Sequence, residues 1–192
     1  RKLLSRPRIH EAAHGFREGR SILTAARPHT GKEMIVRMDL QSFFSSITRA
    51  RVAAFFRLAG YPEDGASLLA GLCSNRTPQR VRSRASAADS ARLGKPHLPQ
   101  GSPSPPALST RLALRRDCRL TGLARKLDLS YTRYADDLFF SGGRRLGRMG
   151  SCFVAQVGAI AIEEGLDVNF RKTRWMPESQ RQRITSVVVN QK

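Results

Sequence analysis

Three aspartates stand in apolar surroundings, where a carboxylate is costly to place. Asp39 lies inside the apolar stretch 34–40, and Asp136 and Asp137 lie inside the apolar stretch 131–140. A buried carboxylate is unfavourable unless it pairs with a cation or binds a metal. Oxygen ligands without histidine or cysteine favour Mg²⁺ or Mn²⁺ over zinc. The residue types predict a site for divalent cations, and an acidic hairpin tip without a metal is the alternative.

The two adjacent aspartates need a turn if they are to act together. Successive side chains of a regular strand point to opposite faces. We therefore expect a tight turn at Asp136 and Asp137, beside the end of the strand that carries Asp39. Two cations held there ~3.5–4 Å apart would stabilise the attacking and leaving oxygens of a phosphoryl transfer.

The remaining sequence predicts the elements that position these acids. Short apolar runs predict strands at 34–40, 128–134, 138–141, 168–170, 175–176 and 184–189. Apolar residues at helical spacing, with prolines at the start of the fourth helix, predict helices at 19–26, 47–58, 66–73, 103–126 and 147–164. Residues 75–97 are rich in Arg, Ser and Ala and predict an exposed, partly ordered excursion. The order of elements predicts an α+β fold, with a small antiparallel sheet backed by helices on one face.

Composition narrows the class of partner. The chain has 192 residues and 40% hydrophobic content, enough for one compact core or two lobes of one enzyme. Its net charge of +19 favours nucleic acid as the partner. An anionic membrane is the rival, but the basic residues are spread along the chain rather than gathered on one amphipathic helix. We expect no membrane partner.

Cysteine usage and the ends of the chain bear on its location. Cys73, Cys118 and Cys152 are far apart, which argues against a disulfide framework or a zinc site and favours a cytoplasmic protein. No apolar run approaches the ~20 residues of a membrane span. The first residue is not methionine, so we expect the chain to be a piece of a longer protein.

The run 134–137, Tyr-Ala-Asp-Asp, resembles the tyrosine-x-aspartate-aspartate box of reverse transcriptases. A lone box is weak evidence, but further segments resemble motifs of the same family in the family's order. These segments are 14–16 with 19–21, 39–44, 98–103, 169–173 and 183–190.

Among reverse transcriptases, the resemblance is nearest to the bacterial retron enzymes, through residues 14–32 and 131–137. Two positions depart from the retron pattern. Ala25 stands where retron enzymes usually carry asparagine, and 184–186 read Ile-Thr-Ser where they usually carry Val-Thr-Gly. A related defence-associated or unclassified bacterial enzyme is the alternative.

The resemblance implies a polymerase palm, ferredoxin-like, with partial fingers. The implied segments are 1–33 (partial fingers), 34–59 (palm with the first metal motif), 60–98 (fingers excursion) and 99–192 (the rest of the palm). The first fingers motif is expected before Arg1, and the thumb after Lys192.

The resemblance also assigns catalytic roles. Asp39, Asp136 and Asp137 are expected to bind two Mg²⁺ ions, with Mn²⁺ as an alternative. Lys172 is expected to neutralise the leaving pyrophosphate or to donate a proton to it. An ordinary surface lysine is the alternative for Lys172.

Contacts to the nucleotide are implied for Leu40, Phe44, Gln100, Gly101 and Arg20. The ring of Phe44 is expected to clash with a 2′-hydroxyl and so to select deoxynucleotides. Core packing is the alternative for Phe44, and a simple loop before a helix is the alternative for Gln100 and Gly101.

Contacts to primer or template are implied for Tyr134, Val188 and Asn190. The implied activity is that of an RNA-directed DNA polymerase that acts on an RNA template, a DNA or RNA primer and deoxynucleotides, with a cognate non-coding RNA as a further partner. A non-polymerising nucleic-acid-binding scaffold in a bacterial defence system is the alternative. A nucleotide cyclase or an RNA-directed RNA polymerase is disfavoured by Phe44 and the Tyr134 box.

Overall fold

The structure is a computed structural model that describes residues 8–101 and 104–190. The first seven residues of the predicted fingers, residues 102 and 103 of the 98–103 motif, and the last two residues of the chain lie outside the described part. The α-helices are α1 (Ile22–Ala26), α2 (Arg49–Leu58), α3 (Glu63–Leu72), α4 (Gln79–Arg82), α5 (Ala87–Leu93), α6 (Ser104–Leu112), α7 (Leu114–Lys126) and α8 (Arg144–Glu163). A short 3₁₀ helix, Arg27–His29, follows α1. The strands are β1 (Met34–Gln41), β2 (Ser130–Tyr134), β3 (Asp137–Gly142), β4 (Asp167–Pro177), β5 (Arg183–Ile184) and β6 (Val187–Val188).

The chain forms two compact units. Of the described residues, the sheet unit contains 9–41 and 113–190, and the helical unit contains Arg8, 42–101 and 104–112. The predicted palm segment 34–59 is thus divided after Gln41, with β1 in the sheet unit and α2 in the helical unit. The assignment of these segments to palm and fingers stays a prediction.

The main sheet of the sheet unit is antiparallel, in the order β2-β3-β1-β4. β1 is central, and Val36 lies between Phe140 of β3 and Trp175 of β4. The adjacent residues Ile35 and Val36 are both fully buried, so this end of β1 is covered on both faces.

One face of the sheet packs against helices. α8 presents Phe153, Val157 and Ala161 at four-residue intervals, and all three are fully buried. The ring of Phe153 meets that of Phe140 edge-on, with centroids 5.0 Å apart. The predicted α+β sheet backed by helices is confirmed.

An apolar cluster covers one end of the opposite face. Ile35 and Phe139 lie there in an apolar cluster with α1 and the small β5–β6 sheet, through Ala25, Ala26, Ile184 and Val189. Towards the other end, the side chains on this face are charged. We call this charged end the acidic end, defined by Arg37, Asp39 and Asp137.

The helical unit is built from α2 to α6. α2 packs on α3, and Thr48 caps α2 by accepting a hydrogen bond from the amide of Arg51. The predicted excursion is closed by a bridge between Asn75 and His97 and contains α4 and α5. These two short helices were not predicted from the sequence; Ser86 caps α5 by accepting a hydrogen bond from the amide of Asp89.

Three other predicted elements differ from the observed ones. The helix predicted over 103–126 is interrupted at Ala113, whose ψ of −2° separates α6 from α7. The two strands predicted at 168–170 and 175–176 are parts of the single strand β4. The strand predicted at 184–189 is the hairpin β5–β6, because Thr185 adopts a φ of +54° and reverses the chain.

In the described part of the chain, no helix has both the length and the apolar character that crossing a membrane requires.

Candidate active site

The hairpin between β2 and β3 carries two of the acids. Tyr134 and Asp137 are the last paired residues, so Ala135 and Asp136 form a two-residue turn. The predicted turn at Asp136 and Asp137 is wrong by one position, because Asp137 already belongs to β3. Ala135 has a φ of +56°, which costs of order 1–3 kcal/mol for a residue with a Cβ. The surroundings must therefore hold this turn in place.

Pairing of β1 with β3 brings the third acid to the turn. Asp39 and Asp137 are direct partners across the two strands, so their side chains share one face. The amide of Leu40 donates to the carbonyl oxygen of Asp136 at 3.1 Å. The sheet therefore gathers the three predicted acids at its acidic end.

A neighbouring cation engages Asp137. Arg37 lies two residues before Asp39 on β1 and points to the same face. Its Nε and Nη2 donate to the two carboxylate oxygens of Asp137, each at 2.9 Å. This two-point ion pair fixes the plane of the Asp137 carboxylate.

A register shift in β4 brings a second cation to the acids. Arg37 pairs with Arg174, but Asp39 pairs with Asn169. The four residues 170–173 therefore lie between these partners on β4, whereas a single residue separates them on β1. Lys172 belongs to this bulge, and its Nζ lies 3.3 Å from Oδ2 of Asp39.

Burial and mutual repulsion affect the two acids of the hairpin. Burial raises the pKa of Asp136, and the nearby carboxylate of Asp39 raises it further, although Lys172 and Arg37 act to lower it. Burial also raises the pKa of Asp137, and the hydrogen bonds from Arg37 oppose that rise. The repulsion among the acids favours binding of a further cation.

The donor set fits a hard divalent cation, because only carboxylate oxygens are present. In the described part of the chain, however, no three His, Cys, Asp or Glu side chains are grouped as a ready-made metal site. The oxygens of Asp39 and Asp137 instead face Lys172 and Arg37. A divalent cation would therefore compete with these two ion pairs for the acids.

A buried ionic cluster that was not predicted from the sequence lies under the hairpin. Arg133 and Asp117 are both fully buried, and Nε and Nη2 of Arg133 donate to the Asp117 carboxylate at 2.9–3.1 Å. Nη1 of Arg133 donates to the carbonyl oxygen of Ala135 at 2.9 Å. Asp117 was not singled out from the sequence. Its spacing from Leu120 and Ala124 places it on the apolar side of α7, and this pattern could have identified it.

Two residues predicted to contact the nucleotide, Leu40 and Arg20, lie in the sheet unit, and both make contacts within the protein. Leu40 is buried, and its amide bonds to the hairpin as described above. Arg20 pairs with Glu11, and it lines a cleft of about 470 Å³ that also contains His14 and Arg125.

The residues predicted to contact primer or template lie on the face of the sheet that carries the acids, or near the apolar cluster on that face. Tyr134 packs on that cluster, and Val188 is 37% exposed. The side-chain amide of Asn190 donates to the carbonyl oxygens of Glu178 and Gln180, and its oxygen accepts from the amide of Gln182. The structure therefore uses Asn190 to hold the 178–182 loop.

The other predicted nucleotide contacts belong to the helical unit. The ring of Phe44 is partly buried and lies 5.3 Å from that of Phe43, which is buried. Gln100 and Gly101 form a turn, and Gly101 has a φ of +92°, which favours glycine.

An antiparallel sheet backed by helices, with acids on two adjoining strands, defines the class of polymerase palms. The fold is similar to that of the telomerase from Candida albicans solved with the TWJ fragment of telomeric RNA. The TM-score is 0.55, at 14% identity, over 98% of this chain and 36% of that one. This likeness concerns the fold alone.

The chain belongs to the reverse transcriptase family. A sequence model described as "Reverse transcriptase (RNA-dependent DNA polymerase)" matches residues 1–187. The family resemblance predicted from the motifs is confirmed, and the family implies catalysis that depends on divalent metal ions.

Curated relatives are retron enzymes. The chain is 40% identical over 190 residues to the retron Mx162 reverse transcriptase of Myxococcus xanthus, covering 95% of this chain and 39% of the relative. It is 40% identical over 192 residues to the retron Mx65 reverse transcriptase of the same organism, covering 98% and 43%. It is 34% identical over 180 residues to the retron Ec86 reverse transcriptase of Escherichia coli, covering 92% and 49%. The chain thus spans less than half the length of these relatives.

Proposed function

We propose that the protein is an RNA-directed DNA polymerase of the retron type, in which Asp39, Asp136 and Asp137 bind two Mg²⁺ ions. The observation that carries the proposal is the pairing of Asp39 with Asp137, with Asp136 in the adjoining turn. Bound ions supply activation of the primer hydroxyl and neutralisation of the triphosphate. Mn²⁺ is the alternative ion, because it prefers the same oxygen ligands.

Lys172 is proposed to act on the leaving group. Its side chain is 66% exposed, and its ammonium rests against Asp39. A flexible four-carbon stem allows the ammonium to leave Asp39 and to neutralise or protonate the departing pyrophosphate.

The substrates proposed are an RNA template, a DNA or RNA primer and deoxynucleotides. The net charge of +19 supports a polyanionic partner, whose binding should weaken steeply with salt. The named retron relatives support a cognate non-coding RNA as a further partner. A cytoplasmic location without a membrane partner is part of the proposal.

Several residues are proposed to contact these substrates. Phe44 is the proposed filter against the 2′-hydroxyl. The other proposed nucleotide contacts are Leu40, Gln100, Gly101 and Arg20, and the proposed primer or template contacts are Tyr134, Val188 and Asn190.

Primer extension by the full-length protein tests the proposal. The reaction contains an RNA template, a DNA primer, deoxynucleotides and Mg²⁺. Asp136→Asn should abolish extension while leaving RNA binding within about twofold of the parent, because one neutralised ligand hardly changes a total phosphate attraction of this size. The matched control is Asp128→Asn, an exposed acid just before β2 that should extend primers as the parent does.

The outcomes separate the two hypotheses about function. An Asp136→Asn protein that extends primers at the parent rate would contradict the metal assignment. A parent protein that binds RNA but extends no primer under these conditions would favour the non-polymerising scaffold.

A further inference from the structure

One buried side chain connects helix α7 to the catalytic turn. The guanidinium of Arg133 lies on the helix-covered face of the sheet and is fully buried. Two of its nitrogens donate to both oxygens of Asp117 on α7. The third, Nη1, donates to the carbonyl oxygen of Ala135 at 2.9 Å. This hydrogen bond therefore holds the turn from the helix-covered side of the sheet, which is the side opposite to the acids.

Asp117 is held as a charged acceptor. It also accepts from the hydroxyl of Tyr131 at 3.0 Å and from Nη2 of Arg116 at 3.2 Å. Burial alone would raise the pKa of Asp117, but the guanidiniums of Arg133 and Arg116 hold that pKa below its ordinary value. A buried ion pair is an inefficient source of stability compared with apolar packing, so its geometry calls for another explanation.

The backbone around Arg133 is held as firmly as its side chain. Its amide donates to the carbonyl oxygen of Ala12 at 2.7 Å, and its carbonyl accepts from the amide of His14 at 2.8 Å. The next residue, Gly15, packs so closely that a Cβ there would lie 2.5 Å from the amide nitrogen of Ala135. These contacts leave the guanidinium aimed at one carbonyl of the turn.

We propose that Arg133 and Asp117 are positioning residues that set the direction of the metal-binding acids. The carbonyl of Ala135 and the amide of Asp136 belong to one planar peptide group. Holding that carbonyl from the helix-covered side fixes this plane, and the hydrogen bond from the amide of Leu40 to the carbonyl of Asp136 holds the next one. Together the two bonds set the direction in which the side chain of Asp136 leaves the turn. The inference rests on the proposed function, since it names the role of this cluster in the same site.

The test compares variants that keep the fold but release the turn. Arg133→Lys retains a buried cation for Asp117 and loses the donor to Ala135. We expect Mn²⁺ to bind at least ~10-fold more weakly than to the parent, the loss typical of residues that orient metal ligands. Mn²⁺ is titrated into the full-length protein, and electron paramagnetic resonance measures the free ion. We expect kcat to fall by a similar factor, with KM for deoxynucleotides changing less than about threefold.

The matched control is Arg119→Lys on the same helix. Arg119 pairs at the surface with Glu163 and Glu164, away from the turn. This variant should bind Mn²⁺ and turn over as the parent does.

A second variant covers the case in which Arg133→Lys does not fold. Replacing all three ions of the cluster, as Asp117→Leu with Arg116→Met and Arg133→Met, removes the buried charges together and favours a folded protein. Its melting temperature should lie near that of the parent, and its affinity for Mn²⁺ should be lower than that of the parent. Parent-like Mn²⁺ affinity and kcat in either folded variant would overturn the positioning role, because a cluster that only stabilises the fold predicts that result.

Deuterium uptake separates failure of this inference from failure of the proposed function. In the metal-free protein, amides of residues 130–141 should exchange faster in Arg133→Lys than in the parent. If the parent extends no primer but the variant shows faster exchange and weaker Mn²⁺ binding, the proposed function fails and the positioning role stands. If the parent extends primers and Arg133→Lys does so at the same rate, the positioning role alone fails.

Discussion

Arg37 and Asp137, 100 residues apart in the chain, form a two-point ion pair with both N···O distances at 2.9 Å. The pair occupies a carboxylate that the proposed function assigns to a metal ion. The guanidinium side chain is 41% exposed, so the pair adds only ~0–1 kcal/mol of stability. Under the proposed function, we expect the pair to act mainly by competing with metal for Asp137.

Arg37→Gln should strengthen metal binding in the absence of nucleic acid. Removal of the guanidinium frees Asp137 for a divalent cation, and we expect the dissociation constant for Mn²⁺ to fall severalfold with little change in melting temperature. Calorimetric titration measures the first quantity. Arg57→Gln, which breaks an exposed pair with Glu63 in the helical unit, is the control and should change neither. Weaker Mn²⁺ binding by Arg37→Gln would show that Arg37 supports the site rather than competes with metal.

Lys172→Met should lower turnover more than nucleotide affinity. If the ammonium assists departure of pyrophosphate, its loss should reduce kcat about 100-fold or more, with a small change in KM. Steady-state primer extension measures both constants. The control, Arg171→Met, removes an exposed cation from the same bulge of β4 and should retain most of the turnover. An equal effect of both variants would assign Lys172 to general charge attraction.

Gly15→Ala should disturb the turn at Ala135 and Asp136 directly. The added Cβ would meet backbone atoms of Ala135, which cannot rotate away as a side chain can. We expect a loss of ~1–3 kcal/mol in the free energy of unfolding and a fall in primer extension. Gly122→Ala is the control, since its Cβ would meet nothing within 4 Å and lies on the exposed side of α7. That substitution should stabilise the protein by up to about 1 kcal/mol, and urea unfolding compares the two.

Phe44→Ala should admit ribonucleotides. A smaller side chain leaves room for a 2′-hydroxyl, so the preference in kcat/KM for deoxynucleotides should fall ~10-fold or more. Competing primer extension with both sugars measures the preference. Phe43→Leu, at a buried neighbour, is the control and should keep the parent selectivity. Unchanged selectivity in Phe44→Ala would assign its ring to packing.

His29 should make stability depend on pH. Its ring nitrogens contact the hydroxyls of Ser141 and Thr132, each at 2.7 Å, and burial lowers its pKa from 6.5 to about 3. Between these two values the unfolded chain binds a proton that the folded protein does not, so stability falls as pH drops through this window. From pH 7 to pH 5, His29 alone should remove about 2 kcal/mol from the free energy of unfolding.

Urea unfolding at the two pH values measures this loss. His29→Gln should be less stable at pH 7 and should lose less stability on acidification than the parent. His10→Gln is the control, because it removes a partly exposed histidine and leaves the contacts of His29 in place. An unchanged dependence in His29→Gln would show that other groups account for it; burial also lowers the pKa of His14, to about 4.

The fold was largely predictable where the apolar pattern was strong. β1, the β2–β3 hairpin and α8 were expected close to their observed bounds, because burial on a sheet or a helix imposes a regular period. The two short helices within 75–97 were not predicted, because helices of four and seven residues leave little periodic pattern. The family followed from its motifs, which are local in the sequence.

The sequence by itself determined which acids stand in apolar surroundings, and the apolar period determined which strands could carry them. Only the tertiary structure decided what those acids touch. Register between β1, β3 and β4 sets Asp137 against Arg37 and Lys172 against Asp39. The packing of α7 under the hairpin sets Asp117 against Arg133. Such contacts join residues far apart in the chain, and they depend on register and packing, which a local pattern of residue types does not specify.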